Sequence, residues 1–231
     1  MNNRAFPRLA WAVAFASFLA ACGGSATPVT TTSTPTPSPT ATAAATTVAS
    51  ASAWTVSDKS KATVRVREQL VGVNLPSDAV LTATGATGSF ALNGDGTFAS
   101  GSKISFDLTT LSSDERARDS FIKQDTLQVR QFPRADFEPT KVTGLSLPLA
   151  TSGTLTFTLT GNMTIRGKTK EVTFDVVANR DGGALTATVT ANPSWKFGDF
   201  GMTAPSVPFR VVSVTDEIRV AIDLVATGPR A

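Results

Sequence analysis

Beyond residue 54, apolar and polar positions alternate with a period of two through most of the chain. Val64 and Val66 alternate with Arg65 and Arg67, Ile104, Phe106 and Leu108 with Ser105, Asp107 and Thr109, and Leu155, Phe157 and Leu159 with Thr154, Thr156 and Thr158. The runs Val172, Phe174, Val176, then Leu185, Ala187, Val189, then Ile218, Val220, Ile222, Leu224 follow the same rule. Successive side chains of a strand point to opposite faces, so each run predicts a strand with one buried and one wet face. The stretch "TGNMTIRGKTKEVTFDV", residues 160 to 176, reads as two such runs around a tight polar turn. With "NGDG" at 93 to 96 and "RDGG" at 180 to 183, it predicts antiparallel connections. The fold class is all-β, an antiparallel sandwich or barrel.

One stretch breaks the rule. In "LSSDERARDSFIKQDTLQ", residues 111 to 128, Ser112 and Glu115 have capping-box spacing, and Ala117 with Phe121 and Arg118 with Ile122 fall four apart. This predicts a helix of about three turns, from Ser113 to Gln124, inserted between two strands and placed to cap a barrel end.

The amino-terminal part follows a different logic. Residues 1 to 21 have Arg4 and Arg8, then an apolar stretch from Leu9 to Leu19, then small residues, the order of an export signal. The chain's one cysteine, Cys22, follows Leu19-Ala20-Ala21 and precedes Gly23, the arrangement in which bacterial lipoproteins are cleaved and acylated. Residues 23 to 53 have no charge and no aromatic, and are rich in Thr, Pro, Ser and Ala, the composition of a disordered tether. The expected order is therefore a signal peptide over 1–21, a lipidated cysteine and tether over 22–53, and one domain over 54–231. It puts the protein outside the cytoplasm, held to a membrane through its lipid on the periplasmic or cell-surface face.

Charge then removes one class of partner. The chain has 21 basic and 18 acidic residues, but Arg4 and Arg8 leave with the signal, so the mature chain has 19 against 18. No electrostatic footprint for a nucleic acid remains. With no histidine, the Ser-His-Asp, Cys-His and His-Glu-x-x-His arrangements are excluded, and one cysteine, used by the anchor, supports neither a disulfide nor a cysteine metal cluster. A carboxylate pair or Ser-Lys site stays open to convergence in space, but acids at a helix start, such as Asp114, Glu115 and Asp119, ordinarily cap it and offset its dipole. We expect no catalytic residue, no metal and no cofactor.

The order of several motifs resembles the YceI-like family of secreted, lipocalin-like barrels that bind polyisoprenoids. The segments that carry it are "WTV" at 54–56, "RDSFI" at 118–122, "QFPRADFEPTKV" at 131–142, "LTGNMTIRGKTKEVTFDV" at 159–176, "FGDFGM" at 197–202 and "DEIRVAIDLVA" at 216–226. The chain departs from the family where many members have Asp-Pro-x-His-Ser after the first aromatic; here the stretch is Ser57-Asp58-Lys59-Ser60-Lys61. The resemblance implies a closed antiparallel β-barrel with an apolar interior that sequesters or carries a polyisoprenoid or similar amphiphile. Alternate side chains line the inside of such a barrel, and an apolar lining favours hydrocarbon over water.

The candidate lining residues are Val64, Val66, Phe90, Ile104, Phe106, Phe137, Leu155, Phe157, Phe174 and Val189. Arg116, Arg118 and Asp119 are the candidates for a ligand head group. At each lining position ordinary core packing competes with cavity lining. Arg166 and Lys168 read as solvated turn residues, and Lys196 and Asp199 as surface charges beside barrel-end aromatics. Besides the lipid and the membrane, a homodimer is a partner left open. Two other classes of function stand beside the carrier: a ligand-free structural or adhesion module with a filled interior, and a lipid-modifying enzyme.

Overall fold

The computed structural model describes residues 52–206 and 210–230. The signal, Cys22 and the tether up to residue 51 lie outside the described residues. Ten strands form a single antiparallel sheet: β1 (Ser52–Val56), β2 (Lys61–Leu70), β3 (Ser77–Ala83), β4 (Thr87–Leu92), β5 (Lys103–Asp107), β6 (Arg134–Thr143), β7 (Ser152–Ile165), β8 (Lys168–Asp181), β9 (Ala184–Ala191) and β10 (Val211–Thr227). The order is β1-β4-β5-β6-β7-β8-β9-β10-β2-β3, and pairing of β1 with β10 at Thr55↔Thr227 and Val56↔Ala226 closes the ring.

β1 and β2 follow one another along the same edge of β10, and β3 and β4 pair with β2 and β1 in turn. Each couple behaves as one long bent strand, so the ten strands make a circuit of eight, a size that leaves room for side chains or one small ligand. Ser60 holds the first bend. It is 0% exposed, donates its hydroxyl to the Val225 carbonyl at 3.2 Å and accepts from the Val225 N–H at 2.9 Å. This serine stands fourth in the stretch where the family resemblance has histidine.

The alternating runs form the inner wall. Along β8, Val172, Phe174, Val176 and Ala178 are buried, while Glu171, Asp175, Val177 and Asn179 are exposed. Arg166 and Gly167 both have positive φ, 51° and 68°, and close the β7–β8 hairpin as a two-residue turn whose twist matches that of its strands. Glycine is needed at 161, because a Cβ there would come within 2.6 Å of the Phe137 ring and 2.5 Å of the Glu138 carbonyl oxygen.

β5 pairs with β4 but not with β3, and the segment between β5 and β6 occupies the opening this leaves. A bridge between Thr82 and Ser112 ties that segment to β3, and Leu111 packs on Ala79, Leu81 and Ala83. The helix within it differs from the one expected. It runs as α1 (Arg116–Phe121) and continues through an i→i+5 turn over Ile122–Thr126. Ser112 cannot cap it, because its backbone is extended and exchanges hydrogen bonds with Thr82 at 2.8 and 3.0 Å. Glu115 caps instead, accepting from Ala117 N–H at 3.1 Å, while Asp119 accepts from the Ser113 N–H and hydroxyl at 2.8 and 2.7 Å.

Candidate functional site

The barrel interior has a cavity of about 890 Å³ at the end where β2 finishes and β10 begins, within the size range of small-molecule sites. Inward positions of β2 and β10, Val64, Val66, Ile218 and Val220, form one wall, and Leu81 of β3 another. Ala117, Arg118, Phe121 and Ile122 of the helix all face it. The i,i+4 pairs read from the sequence thus make the helix a wall of the cavity.

Its floor is aromatic. Trp195, Phe197 and Phe200 line it, and behind them a chain of edge-to-face contacts runs from Phe200 to Trp195 at 5.4 Å, Trp195 to Phe174 at 5.8 Å and Phe174 to Phe137 at 5.2 Å. The Trp195 indole N–H is buried without an oxygen or nitrogen acceptor among the described residues. Beyond this partition lies a second, small space of about 70 Å³.

The ten candidate lining residues divide accordingly. Val64, Val66 and Phe106 line the larger cavity. Phe90, Ile104, Leu155, Phe157 and Val189 line the smaller one. Phe137 and Phe174 line neither, and Phe137 sits in register between Met163 of the larger cavity and Ile104 of the smaller. Of the three head-group candidates, Arg118 lines the larger cavity, whereas exposed Arg116 does not and Asp119 is turned to Ser113.

Sequence reasoning missed Glu68. It continues the inward parity of Val64 and Val66 on β2, and its side chain is only 8% exposed. Arg118 Nη2 lies 2.5 Å from Glu68 Oε1, and Nη1 lies 2.6 Å from Asp114 Oδ1. Burial alone pulls the Arg118 pKa down, but the hydrogen bond to Asp114 and the charge and hydrogen bond of Glu68 outweigh it and hold the guanidinium more firmly protonated than usual. Two carboxylates on one guanidinium leave the cluster at −1, so it suits an uncharged polar group better than an anion.

The loop after β9 that carries the floor aromatics lies toward the end where β10 begins and is fastened there to the rest of the barrel. A bulge in β10 between Val214 and Ile218 lets Asp216 accept from the Phe197 N–H at 2.9 Å. Lys170 Nζ lies 2.5 Å from Asp199 Oδ1 and Arg166 donates to the Gly201 carbonyl at 2.7 Å. Burial would raise the Asp199 carboxyl, but its hydrogen bonds from Lys170 and the Lys196 backbone N–H hold it below the usual range. The opposite end of the barrel is shut by Arg180, which lies 5.1 Å above the Trp54 ring.

The described fold matches a polyisoprenoid-binding domain from Saccharophagus degradans with a TM-score of 0.57 and 9% identity, over 76% of this chain and 98% of that one. It matches BcnA of Burkholderia cenocepacia with a TM-score of 0.52 and 17% identity, over 73% and 97%. In sequence, the chain is 36% identical over 111 residues to a UPF0312 protein of Pseudomonas putida strain W619, which is 45% of this chain. The match spans about half, 54%, of that relative's own length. The model of the YceI-like domain matches residues 54–226, and the chain belongs to the YceI-like domain family.

Proposed function

We propose that the barrel sequesters or carries a polyisoprenoid or similar amphiphile, with its apolar chain in the larger cavity and an uncharged polar end beside Glu68 and Arg118. The observation that carries this reading is the cavity of about 890 Å³, lined mainly by aliphatic and aromatic side chains. Removing apolar ligand surface from water at roughly 25 cal/mol per Å² supplies the driving force. The likeness in fold to a domain described as polyisoprenoid-binding supports the ligand class. Acylation of Cys22 and the segment that follows it would keep the carrier on a membrane outside the cytoplasm. A module with a filled interior has no use for such a space. Native mass spectrometry and solvent extraction of the mature chain, purified without detergent, test the proposal. A stoichiometric isoprenoid adduct is expected. A barrel that is empty and takes up no added isoprenoid overturns the reading.

A further inference from the structure

Four of the six exposed large apolar side chains among the described residues, Val71, Val73, Leu75 and Val212, gather at one end of the barrel. They lie on the β2–β3 loop and the start of β10, which pair at Leu70↔Val211 and through the Val71 N–H to the Arg210 carbonyl at 3.0 Å. The loop is braced: Val73 N–H donates to the Leu70 carbonyl at 3.3 Å, and the Gln69 side-chain amide donates to the Val73 carbonyl. Val71 and Val73 also line the larger cavity, so the exposed apolar rim and the interior are one continuous surface.

We propose that this rim docks on a lipid bilayer and opens the larger cavity toward it, so that an amphiphile passes between membrane and barrel without crossing water. The proposal rests on reading the cavity as a lipid site and Cys22 as the anchor. It explains the length of the tether. β1 begins at Ser52, and its far end pairs with the last residues of β10, whereas the rim lies at the first residues of β10. The tether therefore joins the barrel at the end opposite the mouth. Turning the mouth to the anchoring membrane requires it to run the height of the barrel, roughly 45 Å for a tilted 17-residue strand. Residues 22–51 have an extended reach of roughly 100 Å, which is ample.

The test uses the full acylated chain in phosphatidylcholine vesicles, with a bimane label at Leu75→Cys or, at the opposite end, Asp181→Cys. Cys22 is the chain's one native cysteine, and in the acylated chain its sulfur is blocked, so each variant has a single free thiol. Lipids brominated in their acyl chains are expected to quench the label at 75 several-fold more than the label at 181. Deleting residues 30–49 leaves a reach of roughly 35 Å, too short for inversion, and is expected to abolish quenching at 75. Equal quenching at both labels, or none at 75, overturns the proposal. So does shielding at 75 that depends on protein density and not on lipid, which would put a second copy of the chain on the rim. Intact mass and extraction report acylation and bound lipid separately. If Cys22 is not acylated, the anchor reading fails by itself; the same labels are then placed in a Cys22→Ser background, where quenching at 75 with excess vesicles still supports docking and its absence overturns it.

Discussion

Glu68 and Arg180 are charged residues at inward positions of strands, each continuing the parity of an apolar run. Parity alone marks both, but it does not say how a buried charge is compensated, because the partners are far along the chain. Arg180 is 3% exposed and donates to the carbonyls of Gly182 and Ala150 at 2.9 Å and of Pro229 at 3.3 Å. It thereby fastens three chain segments across the closed end. Glu68 is compensated instead by Arg118 on the helix. Replacing Arg118 by Met leaves the Glu68 carboxyl in an apolar wall without its partner, and a loss of about 3 kcal/mol or more is expected. Replacing both residues by Met removes the two desolvated charges together and is expected to cost much less. Urea unfolding of Arg118→Met, Glu68→Met and the double variant measures the coupling; equal losses for Arg118→Met and the double variant would show that the pair is not what holds the helix to β2.

At the scale of elements, the strands were readable because period-two alternation is local, and the β7–β8 turn because a polar break with Gly167 interrupts it; the positive φ of Arg166 was not. The helix start was not, since the bridge from Ser112 to Thr82 is a contact across 30 residues that local capping chemistry cannot anticipate. Nor does alternation tell a residue that lines a void from one that fills it. Phe174, 1% exposed, and Phe106, 6% exposed, are equivalent in sequence pattern, yet one is packed in the aromatic partition and the other faces the larger cavity. The partition sets how far a chain can enter. Phe174→Ala is expected to join the spaces of about 890 and 70 Å³, to cost roughly 3–5 kcal/mol of stability, and to admit a longer ligand. Mass spectrometry of the lipid extracted from the variant checks this. A folded variant that retains the same lipid as the parent would show that length is limited elsewhere.

For the molecule as a whole, closure of the ring depends on two residue pairs between β1 and β10, a register that no local pattern encodes. What sequence does set at this scale is the charge. With 19 basic and 18 acidic residues from residue 54 onward and a cavity cluster near −1, neither ligand uptake nor approach to a membrane has a long-range electrostatic drive. Salt therefore discriminates between mechanisms. A polybasic reader of anionic lipid gains about 1 kcal/mol per basic residue near the surface and loses most of it as the Debye length shrinks from about 10 Å at 0.1 M to about 3 Å at 1 M. An apolar rim and cavity are indifferent to that change, and excluded salts strengthen them slightly. Transfer of a fluorescent isoprenoid from neutral vesicles to the protein is expected to vary by no more than about twofold between roughly 0.05 and 1 M sodium chloride, and to be no faster from vesicles containing anionic lipid. A steep fall with salt would mean that exposed cations such as Arg65, Arg116 and Arg210, not the apolar rim, guide the encounter.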